Sequence, residues 1–153
     1  MTSGRVMTQI ARKILVCGLP GSGKSTFSSA LANATGGFHL NADEIRDRYH
    51  DWDFSMEGRL RQANRMRHLA DGIVFAGGIA IADFVAPTEE ARLSFGADYT
   101  VFMDVISESR YEDTNKIFQP PTNADFVQKE WVDYADSEVF TILLQTMGMC
   151  INV

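Results

Sequence analysis

Residues Gly18-Leu19-Pro20-Gly21-Ser22-Gly23-Lys24-Ser25 combine three glycines, a lysine and a hydroxyl at the spacing of a complete phosphate cradle. Glycine lacks the Cβ that would hold backbone amides away from anionic oxygens, and a following helix N-terminus adds the positive end of its dipole. Lys24 supplies a point charge for the β- and γ-phosphates of a nucleotide, Ser25 a hydroxyl for the accompanying magnesium ion, and Thr26 a contact to the α-phosphate. The expected nucleotide-binding set is therefore Gly18, Gly21, Ser22, Gly23, Lys24, Ser25 and Thr26, with ATP and Mg²⁺ as the implied cofactors.

Holding a phosphate does not move it, so transfer also requires an acceptor and a group to take its proton. Asp43 follows the short run Phe38-His39-Leu40, which reads as a strand. It therefore falls at the sheet edge where open α/β folds bind ligands. There its carboxylate can face the γ-phosphate and orient or deprotonate an acceptor hydroxyl, making Lys24 and Asp43 the expected catalytic pair. The competing role for Asp43 is to cap a helix starting at Glu44. Asp83 closes the apolar run Ile79-Ala80-Ile81-Ala82 in the manner of a Walker B strand and is expected, with Ser25, on the metal side. A buried, hydrogen-bonded aspartate is the alternative. Arg59, Arg61, Arg65 and Arg67 lie close together and form either an anion-binding face or a solvated helix face.

These groups need a scaffold. Ile14 to Cys17 is apolar throughout and stops at Gly18, as a parallel strand buried on both faces does. A helical pattern runs from Lys24 to about Ala34, with Phe27, Leu31 and Ala34 on one side and Gly36-Gly37 ending it. Glu57 to Ala76 is the longest helical candidate, Ile79 to Val85 a third strand, Thr88 the cap of a short helix over Glu89 to Ser94, and Tyr99 to Met103 a fourth strand. The polar segment Asp104 to Ala124 reads as an irregular lid, Asp125 to Val127 as a fifth strand and Ser137 to Met147 as a closing helix with Val139, Phe140, Leu143 and Leu144 inward. Alternating strands and helices predict a three-layer α/β fold: a parallel sheet of about five strands covered by helices on both faces.

Composition bounds the function. A chain of 153 residues suits one domain, expected over 13–153 behind a loose leader at 1–12. Apolar and charged fractions of 45% and 22% are those of a folded globular chain. The net charge of −6 gives no positive field for a nucleic-acid backbone, so DNA is a disfavoured partner. Cys17 and Cys150 lack metal-ligand spacing and read as reduced thiols in a cytoplasmic setting. Met1 to Ile10 holds no apolar core of signal-peptide length, and no run approaches the ~18 apolar residues of a membrane span. The run Met147 to Val153 reads as a packed tail or as the interface of a homodimer.

Taken with its flanks, the chain resembles the adenylylsulfate (APS) kinase group of P-loop kinases, which transfer the γ-phosphate of ATP to the 3′-hydroxyl of adenosine 5′-phosphosulfate. The cradle through Thr26 carries part of the likeness; Leu40-Asn41-Ala42-Asp43-Glu44-Ile45-Arg46 is similar to the family's Leu-Asp-Gly-Asp-Asn-Ile-Arg segment. The resemblance implies an ATP-dependent P-loop fold and a kinase whose small anionic acceptor is held by Asp43, Arg46, Asn64 and Arg67; Arg59 of the arginine cluster is a further expected substrate-binding residue, and Arg110 and Lys116 are expected lid cations. It also marks departures: Asn41 replaces the family's first aspartate, and Glu112 to Phe118 only loosely matches its lid. Two other readings stay open: a kinase acting on a nucleotide or hydroxymethylated DNA base, as in compact viral P-loop kinases, and a nucleotide-binding regulator without transfer.

Overall fold

The structure, a computed structural model, describes residues 10–134 and 138–148. Residues 149–153, Cys150 among them, and the side chains of Val139 and Phe140 lie outside that description.

Strand β1 (Lys13–Cys17) is the axis of the fold, and its apolar run is used on both sides. Side chains alternate along a strand. Ile14 and Val16 therefore enter one core with Phe27, Leu31, Leu143, Leu144 and Met147, whereas Leu15 and Cys17 enter another with Ala63, Met66, Ala70 and Phe95. A sheet sealed on both faces can be parallel throughout, because its crossover helices supply the two outer layers.

The sheet has five strands, all pairings parallel, in the order β2-β3-β1-β4-β5. The others are β2 (Phe38–Asn41), β3 (Ala80–Asp83), β4 (Tyr99–Met103) and β5 (Phe126–Gln128). Helix α1 (Lys24–Thr35) lies on the first face, where Gly36 in the left-handed region closes it by donating its N–H to Ala32 O. Helices α2 (Ala42–Tyr49), α3 (Met56–Phe75) and α4 (Glu89–Phe95) cover the second. Helix α6 (Glu138–Thr146) joins α1 on the first face through Leu143 and Leu144.

Caps set where the helices begin. Thr88 accepts from Ala91 N as expected, and Ser55 accepts from Gly58 N to start α3. Helix α2 starts at Ala42, ahead of the expected Glu44, because Asn41 takes the capping role by accepting from Glu44 N. The expectation of an irregular lid over 104–124 is corrected by α5 (Glu112–Ile117). Six residues are too few to display an apolar period, and the turn is held by Asn115, whose side chain accepts from Ser109 N and Oγ and donates to Ser109 O. Residues 1–9 lie outside the description; Ala11, inside the expected leader, is buried and donates its N–H to Met147 O.

Candidate active site

The carboxyl ends of β1, β2 and β3 meet at one rim, because their register sets Asn41 opposite Asp83 and Val16 opposite Asp83. The cradle leaves β1 there. A Cβ on Gly18 (φ 151°) would lie 2.7 Å from the Met103 carbonyl oxygen, so only glycine lets the loop turn this close to β4. Gly23, the left-handed cap of α1, would place a Cβ 2.6 Å from the Trp131 ring.

A cleft of about 1050 Å³ opens over the loop. Gly21, Gly23, Lys24, Ser25 and Thr26 line it. Gly18 and Ser22 lie beneath, Ser22 fully buried with its hydroxyl unpartnered among the described residues. Lys24 Nζ donates to the Leu19 carbonyl at 3.0 Å. Burial lowers its pKa from the ordinary lysine value, while the Asp83 and Asp43 carboxylates oppose that fall.

Asp83 is 3% exposed, and its Oδ2 accepts from Ser25 Oγ at 2.9 Å, His39 Nε2 at 2.9 Å and Asn41 Nδ2 at 3.1 Å. An acceptor carboxylate sets the His39 proton on Nε2. Asn41 also donates to Ser25 Oγ at 3.0 Å, so one side chain caps α2 with its oxygen and braces the Ser25–Asp83 pair with its nitrogen. No group of three or more His, Cys, Asp or Glu able to hold a metal occurs among the described residues. Ser25 and Asp83 nevertheless present paired hard oxygens beside the phosphate loop, which fits a magnesium ion completing its shell with water and phosphate.

Asp43, exposed in the first turn of α2, lines this cleft and also a smaller pocket of about 80 Å³ beside it. That pocket is walled by Arg46, Phe54, Arg59, Ala86 and Pro87. Arg46 is 5% exposed; its Nη1 donates to the Asp51 and Asp53 carbonyls, and its guanidinium lies 4.4 Å over the Phe54 ring. Burial lowers its pKa and the Asp51 charge opposes this. Arg59 donates from Nε to Phe54 O and from Nη2 to Asp113 and Thr114 on α5, tying α5 to α3.

Other expected residues are not brought here. Asn64 is exposed and Arg67 pairs with Asp71 on the outer face of α3; neither lines the cavities. Arg110 lines the cleft, donating to Tyr111 Oη, whereas Lys116 is exposed outside both cavities. Of the arginine cluster only Arg59 lines the cavities; Arg61, Arg65 and Arg67 do not present a free anion-binding face there. Arg61 pairs with Asp51 and Asp53, Arg65 with Asp51, Arg67 with Asp71 and Arg59 with Asp113. The Arg61 and Arg65 guanidiniums hold the Asp51 carboxyl well below the usual carboxylate range.

Sequence reasoning passed over His39 and Trp52, gave no role to Trp131, and noted Asn41 only as a departure. The i, i+2 spacing of His39 and Asn41 put both on one side of β2 and was a readable signal. Nothing local marked the tryptophans, which line the cleft from separate parts of the chain. Behind the site, burial pushes the Cys17 thiol up to about 11.

A family model described as an AAA domain matches residues 14–97, more than half of the chain. The chain is 37% identical over 90 residues to an adenylyl-sulfate kinase of Shewanella baltica (strain OS195), a match covering 55% of this chain and 44% of that protein. The chain thus spans less than half the length of this curated relative. Among solved structures, the Mycobacterium tuberculosis APS kinase CysC in complex with AMPPNP and APS superposes with a TM-score of 0.66 at 20% identity, over 90% of this chain and 99% of that one. Shikimate kinase from Aquifex aeolicus superposes with a TM-score of 0.61 at 22% identity, over 88% and 96%.

Proposed function

The chain belongs to the AAA domain family, and from that premise we propose that it is an ATP-dependent kinase transferring a γ-phosphate to a hydroxyl of a small anionic acceptor, in the manner of an APS kinase. The observation that carries this reading is the position of Asp43, whose residue lines both the phosphate-loop cleft and the arginine-walled pocket. A carboxylate at that junction stands between donor and acceptor.

Lys24 exchanges its bond to the Leu19 carbonyl for the β- and γ-phosphate oxygens, and the loop amides neutralise the charge that spreads during transfer. Ser25 and Asp83 would hold a magnesium ion, whose charge would offset that of the phosphates. Arg46 and Arg59 fix the acceptor's anionic group. Asp43 takes the hydroxyl proton as the oxygen–phosphorus bond forms and the bond to the β-phosphate oxygen breaks, releasing ADP. The likeness to proteins named adenylyl-sulfate kinase supports APS as that acceptor.

Transfer to a DNA base is disfavoured, since the clustered Arg61, Arg65 and Arg67 are already paired with acids and the net charge is −6. Among the described residues no helix is long and apolar enough to cross a membrane. The test is labelled ATP with APS, nucleosides, nucleotides and hydroxymethylated DNA as acceptors. Label on APS is expected, lost in Lys24→Ala and in Asp43→Asn, with ATP binding kept in the latter. Label on DNA, or hydrolysis alone, overturns the reading, and undiminished transfer by Asp43→Asn removes Asp43 from its role.

A further inference from the structure

Asn41 is the last residue of β2, set by the sheet register opposite Asp83 of β3, and it is also the N-cap of α2. Its two ends serve different partners. Nδ2 donates to Ser25 Oγ at 3.0 Å and to Asp83 Oδ2 at 3.1 Å, while Oδ1 accepts from Glu44 N at 3.0 Å. That orientation is forced, because a carboxylate only accepts and a backbone N–H only donates. The same bonds explain the residue type. Aspartate would cap α2 equally well but would set a second carboxylate oxygen 3.1 Å from that of Asp83. Serine would cap the helix too, yet is too short to reach the rim as well.

The first turn of α2 is also gripped from its far side. Gln62, 3% exposed on α3, donates from Nε2 to Ala42 O at 3.0 Å and lines the small pocket beside Asp43. Asp43 therefore stands in a turn held by the phosphate-loop rim on one side and by the wall of the arginine-lined pocket on the other. We propose that Asn41 is a positioning residue that links the two: a nucleotide that orders Ser25 and Asp83 tightens, through Asn41, the turn carrying Asp43. The acceptor then meets a fixed carboxylate only when the donor is in place. This rests on the nucleotide-binding half of the reading above and adds the connection between its two pockets. Such a link is a coupling free energy between sites, carried here by the two ends of one amide.

The experiment is hydrogen exchange on the full chain, wild type and Asn41→Ser, with and without a non-hydrolysable ATP analogue and Mg²⁺. In the wild type the analogue is expected to slow exchange at the Glu44 amide on the order of fivefold, the low end for coupled sites because one side chain carries the link. In Asn41→Ser the serine still caps α2. There the slowing at Glu44 is expected to vanish, while the slowing at the Gly21, Gly23 and Lys24 amides remains. A Glu44 rate indifferent to nucleotide in the wild type would mean a cap without a link, and the proposal fails. It fails equally if the slowing survives in Asn41→Ser, since the nucleotide then orders α2 by direct contact. Loop amides that ignore the analogue would sink the nucleotide-binding reading and this proposal with it. No acceptor or transfer enters the measurement, so the kinase reading is judged separately.

Discussion

Asp83→Asn is the most informative perturbation, because one oxygen of a 3% exposed carboxylate receives three donors, from Ser25, His39 and Asn41. The amide retains the shape and one acceptor oxygen but removes the charge. Charge-assisted hydrogen bonds are about twice as strong as neutral ones, roughly 1.5–3 against 0.5–1.5 kcal/mol, so each bond loses ~1 kcal/mol. Three bonds to one oxygen are not additive, and Ser25 and Asn41 reach water, so the net loss is about 1–2 kcal/mol. For a chain of this size that lowers Tm by roughly 2–8 °C, read by circular dichroism. The same substitution weakens the proposed metal site, so the gain in ATP affinity on adding Mg²⁺ should shrink while metal-free ATP binding holds. An unchanged Tm together with an undiminished magnesium effect would refute both the energetic argument and the placement of Asp83 on the metal side.

Three further outcomes are expected. Gly18→Ala forces a Cβ to 2.7 Å from the Met103 carbonyl oxygen, a backbone atom that cannot rotate away, at a positive φ; destabilisation of roughly 1–3 kcal/mol is expected from urea unfolding. Arg92 donates to the carbonyls of Ala86 and Gln119, while Gln119 N bonds Pro87 O. Lysine cannot span both carbonyls, so Arg92→Lys should speed hydrogen exchange at the Gln119 amide several-fold and leave α3 amides unchanged. Asp51, held down by Arg61 and Arg65, has a folded pKa below the unfolded value of ~3.9; its stabilisation is present above that pH and disappears as pH falls through the folded pKa. The Tm gap between wild type and Asp51→Asn should therefore be full at pH 7 and narrow steadily below about pH 4.

Gly18 to Ser25, followed by a helical run and preceded by Ile14 to Cys17, was legible without coordinates because its requirements are local: glycine dihedrals, a strand period and a helix start. The same holds for the placement of Asp83, which closes β3, and of Asp43, two residues past the end of β2, because strand ends lie at the rim of a parallel sheet. The parallel sheet covered on both faces followed from the alternation of strands and helices, whereas the order β2-β3-β1-β4-β5 came only with the structure. What the sequence could not decide was partnership across distance. Whether Arg61 and Arg65 are free cations depends on Asp51 and Asp53 finding them from the loop before α3, whereas the Arg67–Asp71 pair is an i, i+4 contact within one helix and was readable. Helix α5 was hidden because it is held by Asn115 and Ser109 rather than by an apolar stripe. Trp52 and Trp131, far apart in the chain, share one cleft only because the fold closes both over the cradle. Sequence by itself determined the phosphate-binding loop and the sheet beneath it, since backbone chemistry dictates both; tertiary structure decided which charges remain available to a ligand, since that is settled by contacts no local pattern encodes.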